Sequence, residues 1–237
     1  MKEEFQTIMS AIASNLQAVR ARIAKAAEQA GRSPQEIALL AVSKTWPLEC
    51  ILAAADAEQR AFGENYVQEG VDKALATAAL DLEWHFIGPL QSNKTRLVAE
   101  HFAWVHSLER MKIAERLSAQ RPAELPPLQV CVQVNVSGEA SKSGCAPADA
   151  AALCRVIADL PRLTLRGLMA IPEPADDFAA QRVPFRRLRD IYENIRALGI
   201  PLDTLSMGMS HDLEAAVAEG ATIVRIGTAI FGERNYA

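Results

Sequence analysis

Eight short apolar runs, most of them separated from the next by a helical pattern, constrain this 237-residue chain more than any other feature. They lie near 37–43, 61–65, 83–88, 104–108, 128–136, 163–171, 203–207 and 223–229. Runs that are apolar on both faces belong in a parallel sheet covered by helices. Eight such units on so short a chain predict an α/β fold closed into a single (β/α)8 TIM barrel, for which roughly 250 residues is typical. Before the first run, Phe5, Ile8, Met9, Ile12, Leu16, Val19 and Ile23 form one apolar stripe, predicting an extra N-terminal helix that Gly31 is placed to end. An open doubly wound sheet is the main alternative, but no G-x-G-x-x-G turn follows the first run. The Pro-rich stretches at 121–127 and 171–174 read as loops, so residues 1–237 read as one domain.

Composition removes several function classes. With 50% hydrophobic residues, 23% charged residues and a net charge of −4, the chain reads as soluble and offers no basic field for nucleic acid. The start, Met1-Lys-Glu-Glu-Phe-Gln-Thr7, lacks the apolar core of a secretory signal, and no later stretch reaches membrane-spanning length. A cytoplasmic location with no membrane partner is the expectation. Cys50, Cys131, Cys145 and Cys154 are scattered without a C-x-x-C pair, which predicts reduced thiols and no metal site.

Barrels bind ligands at the carboxyl ends of their strands, so the residues closing each run are the candidates. Lys44 closes the first, Ile37-Ala-Leu-Leu-Ala-Val-Ser-Lys44. A lysine partly removed from water gives more of the neutral amine, the nucleophile a carbonyl compound requires; the bland alternative is a buried stem with a solvated head. By alternation Lys44 shares a face with Leu40 and Val42, pointing inward if they do. Asn65 closes the second run and, with Gln68 three positions on, reads first as a helix cap that could also touch ligand. His85, among large apolar groups, reads as a satisfied core residue rather than a base, and His101 and His106 as structural. Lys94 could face the mouth or solvent.

The last two runs carry anion chemistry. Ser206-Met-Gly-Met-Ser210 offers two hydroxyls and a bare backbone, with Ser210 expected to cap the following helix; Gly227-Thr228 offers a second such turn. These are the two loops where barrels commonly hold phosphate. Arg225, inside Ile223-Val-Arg-Ile226, needs a partner: either a buried carboxylate or a ligand group such as a pyridine nitrogen. Its sharing a face with Gly227 favours the ligand.

Ala41-Val-Ser-Lys-Thr45, Phe62-Gly-Glu-Asn-Tyr66, Trp84-His-Phe-Ile-Gly88 with Gln91-Ser-Asn-Lys94, the 135–144 loop, Leu205-Ser-Met-Gly-Met-Ser210 and Val224-Arg-Ile-Gly-Thr-Ala-Ile-Phe-Gly232 occur in order across nearly the whole chain. On these motifs the chain strongly resembles the pyridoxal phosphate homeostasis protein family, also called YggS/PROSC-like. The resemblance implies a barrel related to the N-terminal domain of alanine racemase, with pyridoxal 5'-phosphate (PLP) held as a Schiff base on Lys44. It implies phosphate contacts from Ser206, Met207, Gly227 and Thr228, a pyridine-nitrogen contact from Arg225, and Asn65 and His85 near the ring.

The racemases so resembled take a second base from a tyrosine of a further domain on a partner subunit, and this sequence ends at Ala237, just after its eighth unit. The expectation is therefore a monomeric, non-enzymatic carrier of PLP with no catalytic residue, its recipients being PLP-requiring apo-enzymes. The alternatives are a weak amino-acid racemase or other PLP-dependent enzyme, and a Schiff-base aldolase. The 135–144 loop, with Lys142, is expected to be mobile and solvated, a lid or exit-route lysine being the other reading.

Overall fold

The computed structural model describes residues 2–138 and 143–233, with side chains described from Met9 onward; Lys142 lies outside them. Helix α1 (Lys2–Gln29) comes first, followed by β1 (Ala38–Val42), α2 (Leu48–Asp56), β2 (Ala61–Glu64), α3 (Val67–Ala76) and β3 (Glu83–Phe86). Next come α4 (Thr95–His101), β4 (Trp104–Leu108), α5 (Met111–Gln120), β5 (Leu128–Gln133), α6 (Ala150–Ala158) and β6 (Leu163–Met169). The last elements are α7 (Phe178–Ala197), β7 (Thr204–Ser206), α8 (Leu213–Ala218), β8 (Ile223–Ile226) and α9 (Thr228–Phe231).

All eight strands are parallel and close in chain order, with β1 returning to pair β8 from Ala38↔Ile223 to Ala41↔Ile226. The α/β barrel and its extra N-terminal helix are thus as the hydrophobic pattern required. Four of the eight apolar runs extend two or more residues past their strands, because their last residues leave the ladder to build the loops of the mouth; Lys44 lies two positions beyond the end of β1.

Strand alternation sorts side chains into two cores. The larger fills the space between strands and helices and includes Phe62, Phe86, Val105, Val130 and Leu168. The smaller lies inside the barrel: Leu40, Val42, Ile87, Trp104, Cys131, Met169 and Ile223. Packed with this inner set are four buried polar groups, His85, His106, Ser206 and Arg225. Burial pushes the Cys145 thiol up to about 11 and Cys154 up to about 12, so neither offers a thiolate near neutral pH.

Helix α1 buries Ile12, Leu16, Val19 and Ile23, each such side chain contributing about 1.5–3 kcal/mol. Gly31, at φ 66°, turns the chain out just past its end, in the left-handed region that glycine adopts without strain. Its polar residues do more than cover the barrel. Asn15 Nδ2 donates to the carbonyl of Ile230 at 2.9 Å, and Arg22 donates to the carbonyl of Ser210 at 3.2 Å and to both carboxylate oxygens of Glu214. Both carbonyls belong to the segments following β7 and β8. No helix among the described residues is long and apolar enough to cross a membrane.

Candidate functional site

At the carboxyl ends of the strands a cavity of about 220 Å³ is lined by Lys44, Asn65, Ser210, Arg225, Gly227 and Thr228 over the apolar side chains of Val42 and Ile87. Residues from four strand-end loops thus meet in one space.

The Lys44 turn is held from behind. Thr45 stands at φ 66°, a left-handed conformation that is costly for a β-branched residue, so its surroundings must enforce it. On α3, Lys73 Nζ donates to the Ser43 carbonyl at 2.8 Å, to Glu64 Oε1 at 2.7 Å and to Glu69 Oε1 at 2.6 Å. Ser43 Oγ donates to the same Glu64 oxygen at 2.7 Å, and the Thr45 N–H donates to Glu69 at 2.5 Å. The residues on either side of Lys44 are therefore tied to one ion-pair cluster. Desolvation holds the buried Glu64 carboxyl above the usual carboxylate range, with Lys73 pulling against it.

Asn65 does not cap the next helix. Tyr66 occupies that position without a side-chain bond, and Gln68 donates to Asp72 instead. Asn65 faces the cavity, and its Oδ1 is buried without a hydrogen-bond partner among the described residues. Gly88 fixes where Asn65 stands: a Cβ there would come within 2.2 Å of the Asn65 carbonyl oxygen, so only glycine lets β3 leave the barrel so close to β2.

On the opposite side, Gly208 turns the chain after β7 at φ 95°, and a Cβ there would lie 2.5 Å from Ala216 Cβ. Ser210 does not cap α8, whose cap position is Asp212; its Oγ accepts from the Ala229 N–H at 3.4 Å and so bridges the two last loops. Thr228 opens α9, where the first N–H groups of a helix have no acceptor within it.

Arg225 is buried, and the two bonds from its Nη1 go to the Ser206 carbonyl at 2.6 Å and Ser206 Oγ at 2.8 Å, with Nη2 donating to the Ala170 carbonyl at 2.9 Å. All three acceptors are neutral, so among the described residues no carboxylate pairs with it. Burial pushes the guanidinium down to about 10, Asp212 opposing, and it stays cationic at neutral pH. Of the two explanations its sequence position allowed, the buried ion pair is the one the geometry removes.

Three of the positions expected near the cofactor lie outside the lining of this cavity. Ser206 and Met207 do not line the cavity: the Ser206 hydroxyl is spent on Arg225 and His106, and Met207 alternates outward into the larger core. His85 is not at the mouth either. It points inward on β3 two residues before Ile87, which fills the layer beneath the cavity, and it stacks on Trp104 at 5.3 Å between ring centroids. Its nitrogens bond to Glu83 and His106, and it lines a second cavity, about 270 Å³, at the amino ends of the strands. Conversely, His211 and Ile171 line the upper cavity without having been singled out. The Glu69–Lys73 pair was legible as an i,i+4 spacing, whereas nothing in the sequence pointed to Glu64 as its buried partner.

Residues 14–235 match the family model for the alanine racemase N-terminal domain, and a closed parallel barrel with a lysine lining the cavity at its mouth suits that class. Alanine racemase from Corynebacterium glutamicum shares the fold at 16% identity, with a TM-score of 0.72 over 95% of this chain and 62% of that one. Much nearer are the pyridoxal phosphate homeostasis proteins of Pseudomonas aeruginosa, 62% identical over 96% of this chain and 98% of that protein, and of Escherichia coli, 56% identical over 97% and 99%. PipY from Synechococcus elongatus, whose structure contains PLP, is 38% identical with a TM-score of 0.81 over 93% of this chain and all (100%) of that one. The chain belongs to the pyridoxal phosphate homeostasis protein family.

Proposed function

We propose that this chain, as one domain spanning residues 1–237, binds PLP and serves intracellular PLP (vitamin B6) homeostasis as a carrier rather than as an enzyme. The observation carrying this reading is the convergence on one cavity of an amine, Lys44, a cation without a carboxylate partner, Arg225, and the hydroxyl and backbone groups of Ser210, Gly227 and Thr228. The donor set fits the cofactor. Ser210, Gly227 and Thr228 would hold its phosphate, as they fit an anion cradle. Lys44 would form the imine with its aldehyde, and Arg225 would donate to its ring nitrogen. The unpartnered Asn65 Oδ1 leaves an acceptor for a donor on the bound molecule.

Bound PLP supplies an electron-withdrawing ring. An arginine donating to the ring nitrogen keeps that nitrogen unprotonated and so limits the withdrawal, which favours storage and delivery over carbanion chemistry. The chain's own residues then have three tasks: to hold the Lys44 amine in place, to neutralise the phosphate, and to exclude water through Val42 and Ile87. PLP-requiring apo-enzymes are the proposed recipients.

Purified protein should be yellow. After borohydride reduction, peptide mass mapping should find the pyridoxyl group on Lys44, and K44A should lose both colour and label; label on another lysine would refute the reading. A second reading, a weak amino-acid racemase, draws on His211, an acid–base group lining the same cavity as Lys44. Formation of D-amino acid by PLP-loaded protein, abolished in H211N, would establish it.

A further inference from the structure

A continuous series of hydrogen bonds crosses the barrel interior from Arg225 at the upper cavity to Glu83 at the lower one. Arg225 Nη1 meets Ser206 Oγ at 2.8 Å, Ser206 Oγ meets His106 Nδ1 at 2.7 Å, His106 Nε2 meets His85 Nδ1 at 2.9 Å, and His85 Nε2 meets Glu83 Oε1 at 2.8 Å. The two histidines and the serine are buried, while the Glu83 side chain is 47% exposed.

The donors and acceptors can be assigned from the ends inward. A guanidinium only donates and a carboxylate only accepts. Glu83 is held ionised, chiefly by the bond from His85, so His85 Nε2 must carry hydrogen. Desolvation keeps both imidazoles neutral near pH 7, which leaves His85 Nδ1 as an acceptor. His106 must then donate from Nε2 and accept at Nδ1. The only hydrogen available there is that of the Ser206 hydroxyl, whose oxygen is left with lone pairs facing Arg225. Every link then runs in the same direction, from cation to anion, with no conflict. Reversing the central links would set two lone pairs against each other at Glu83.

We propose that His106 is a positioning residue for Arg225, acting through the Ser206 hydroxyl, and that the ordered series Arg225–Ser206–His106–His85–Glu83 fixes which edge of the guanidinium faces the cofactor. With both Nη1 hydrogens spent on Ser206 and one Nη2 hydrogen on Ala170, the edge bearing Nε–H is the one left for the upper cavity. This rests on PLP occupying that cavity. It adds that the ring-nitrogen contact is set from across the barrel, through His106 on β4 and His85 on β3, and that the series reaches solvent at the far mouth through Glu83.

Two measurements test it. The chain has only four histidines, so a long-range proton–nitrogen spectrum of histidine-labelled protein resolves their tautomers. At pH 7 without cofactor, His85 and His106 should both carry hydrogen on Nε2, and in S206A His106 should keep that tautomer, because the Glu83 end of the series sets it. An Nδ1–H tautomer at His106 in the wild type overturns the series. With cofactor, H106L should release PLP about tenfold more readily and shift its absorption band, while H106N, which keeps an acceptor near the Nδ1 position, should restore both. If S206A or H106L fails to fold, the wild-type tautomers still decide the series, and H106N against H106Q decides the cofactor effect. A wild type that takes up no PLP would sink the function proposed above and leave the tautomer result standing. A wild type that binds PLP beside an H106L variant with unchanged affinity and band would sink the positioning role alone.

Discussion

Lys73 Nζ lies 2.7 Å from Glu64 Oε1, and both side chains are shut away from water behind the turn that carries Lys44. The pair joins the second βα unit to the end of the first strand, because Lys73 also donates to the Ser43 carbonyl and Ser43 Oγ donates to Glu64. A reactive amine on a loop would lose much of its effectiveness to motion. Here the loop is fixed by charge-assisted bonds to the residues on either side of Lys44, and Lys44 lines the cavity.

Removing one partner should be far worse than removing both. K73M leaves the Glu64 carboxylate buried without its cation and should cost about 3–5 kcal/mol of unfolding free energy. The double variant E64L/K73M should recover most of that in urea titration, yet should remain slow to form the borohydride-trappable bond at Lys44, because Ser43, on the other side of Lys44 from Thr45, has lost both of its anchors. Equal stability of single and double variants would contradict the ion-pair account.

The barrel was legible in the sequence because each strand is a short run apolar on both faces, a pattern little else produces. Lys44, Asn65, Ser210, Gly227 and Thr228 were legible because they sit close to where such runs or their strands stop, and stopping points become the mouth, whereas Arg225 was legible as a charge inside an apolar strand. What the sequence did not show depended on the third dimension. Ser206 closes a run just as Asn65 does, but its inward direction sets its hydroxyl beneath Arg225. His106 looked isolated because its partners stand 21 and 100 positions away in the chain. Long-range polar contacts of this kind leave no local spacing to detect.

Stability should fall as acid reaches the interior. Unfolded histidines protonate near their ordinary value of 6.5, whereas burial holds folded His85 below it and His106 well below it. Below about pH 6.5 the unfolded chain therefore binds protons that the folded chain refuses. Stability is intact above that pH and declines beneath it, by up to about 1.4 kcal/mol per pH unit for each histidine. Urea midpoints measured from pH 7.5 down to 5.5 should show this slope before ordinary carboxylates begin to titrate, and H106L should lose about half of it. A slope unchanged in H106L would place its origin elsewhere.

Asn65 separates binding from folding. Its Oδ1 has no partner among the described residues, so N65A removes an unsatisfied buried group and should leave the thermal midpoint of cofactor-free protein within a few degrees of the wild type. PLP should dissociate about tenfold more readily from N65A. A large loss of stability without cofactor would assign the residue to the fold instead.

Ser210 should discriminate between cofactor forms. Its hydroxyl lies between the two last loops, within 3.4 Å of the Ala229 nitrogen, where a phosphate would be held. S210A should weaken PLP by about tenfold or more, the range for a bond to a charged group, and should leave the binding of pyridoxal, which lacks the phosphate, nearly unchanged. Equal weakening of both compounds, read from absorbance titrations, would move Ser210 out of the anion cradle.

The N-terminal helix should tune the same cradle without touching it. Arg22 holds the Ser210 carbonyl at 3.2 Å and Asn15 holds the Ile230 carbonyl at 2.9 Å, so α1 fixes the backbone of both loops from outside the barrel. The Arg22–Glu214 pair is substantially exposed and contributes only about 0–1 kcal/mol by itself. R22A should therefore change the unfolding free energy little. Its effect should fall on the loops, whose backbone donors lose registry with each other once Ser210 can drift from Ala229. The combined variant N15A/R22A should release PLP faster than either single variant while K44A-type loss of colour does not occur, since the amine is held by a separate cluster on α3. Stopped-flow release into an excess of an apo-enzyme acceptor measures this directly. An unchanged release rate would mean that the helix serves only to cover the barrel.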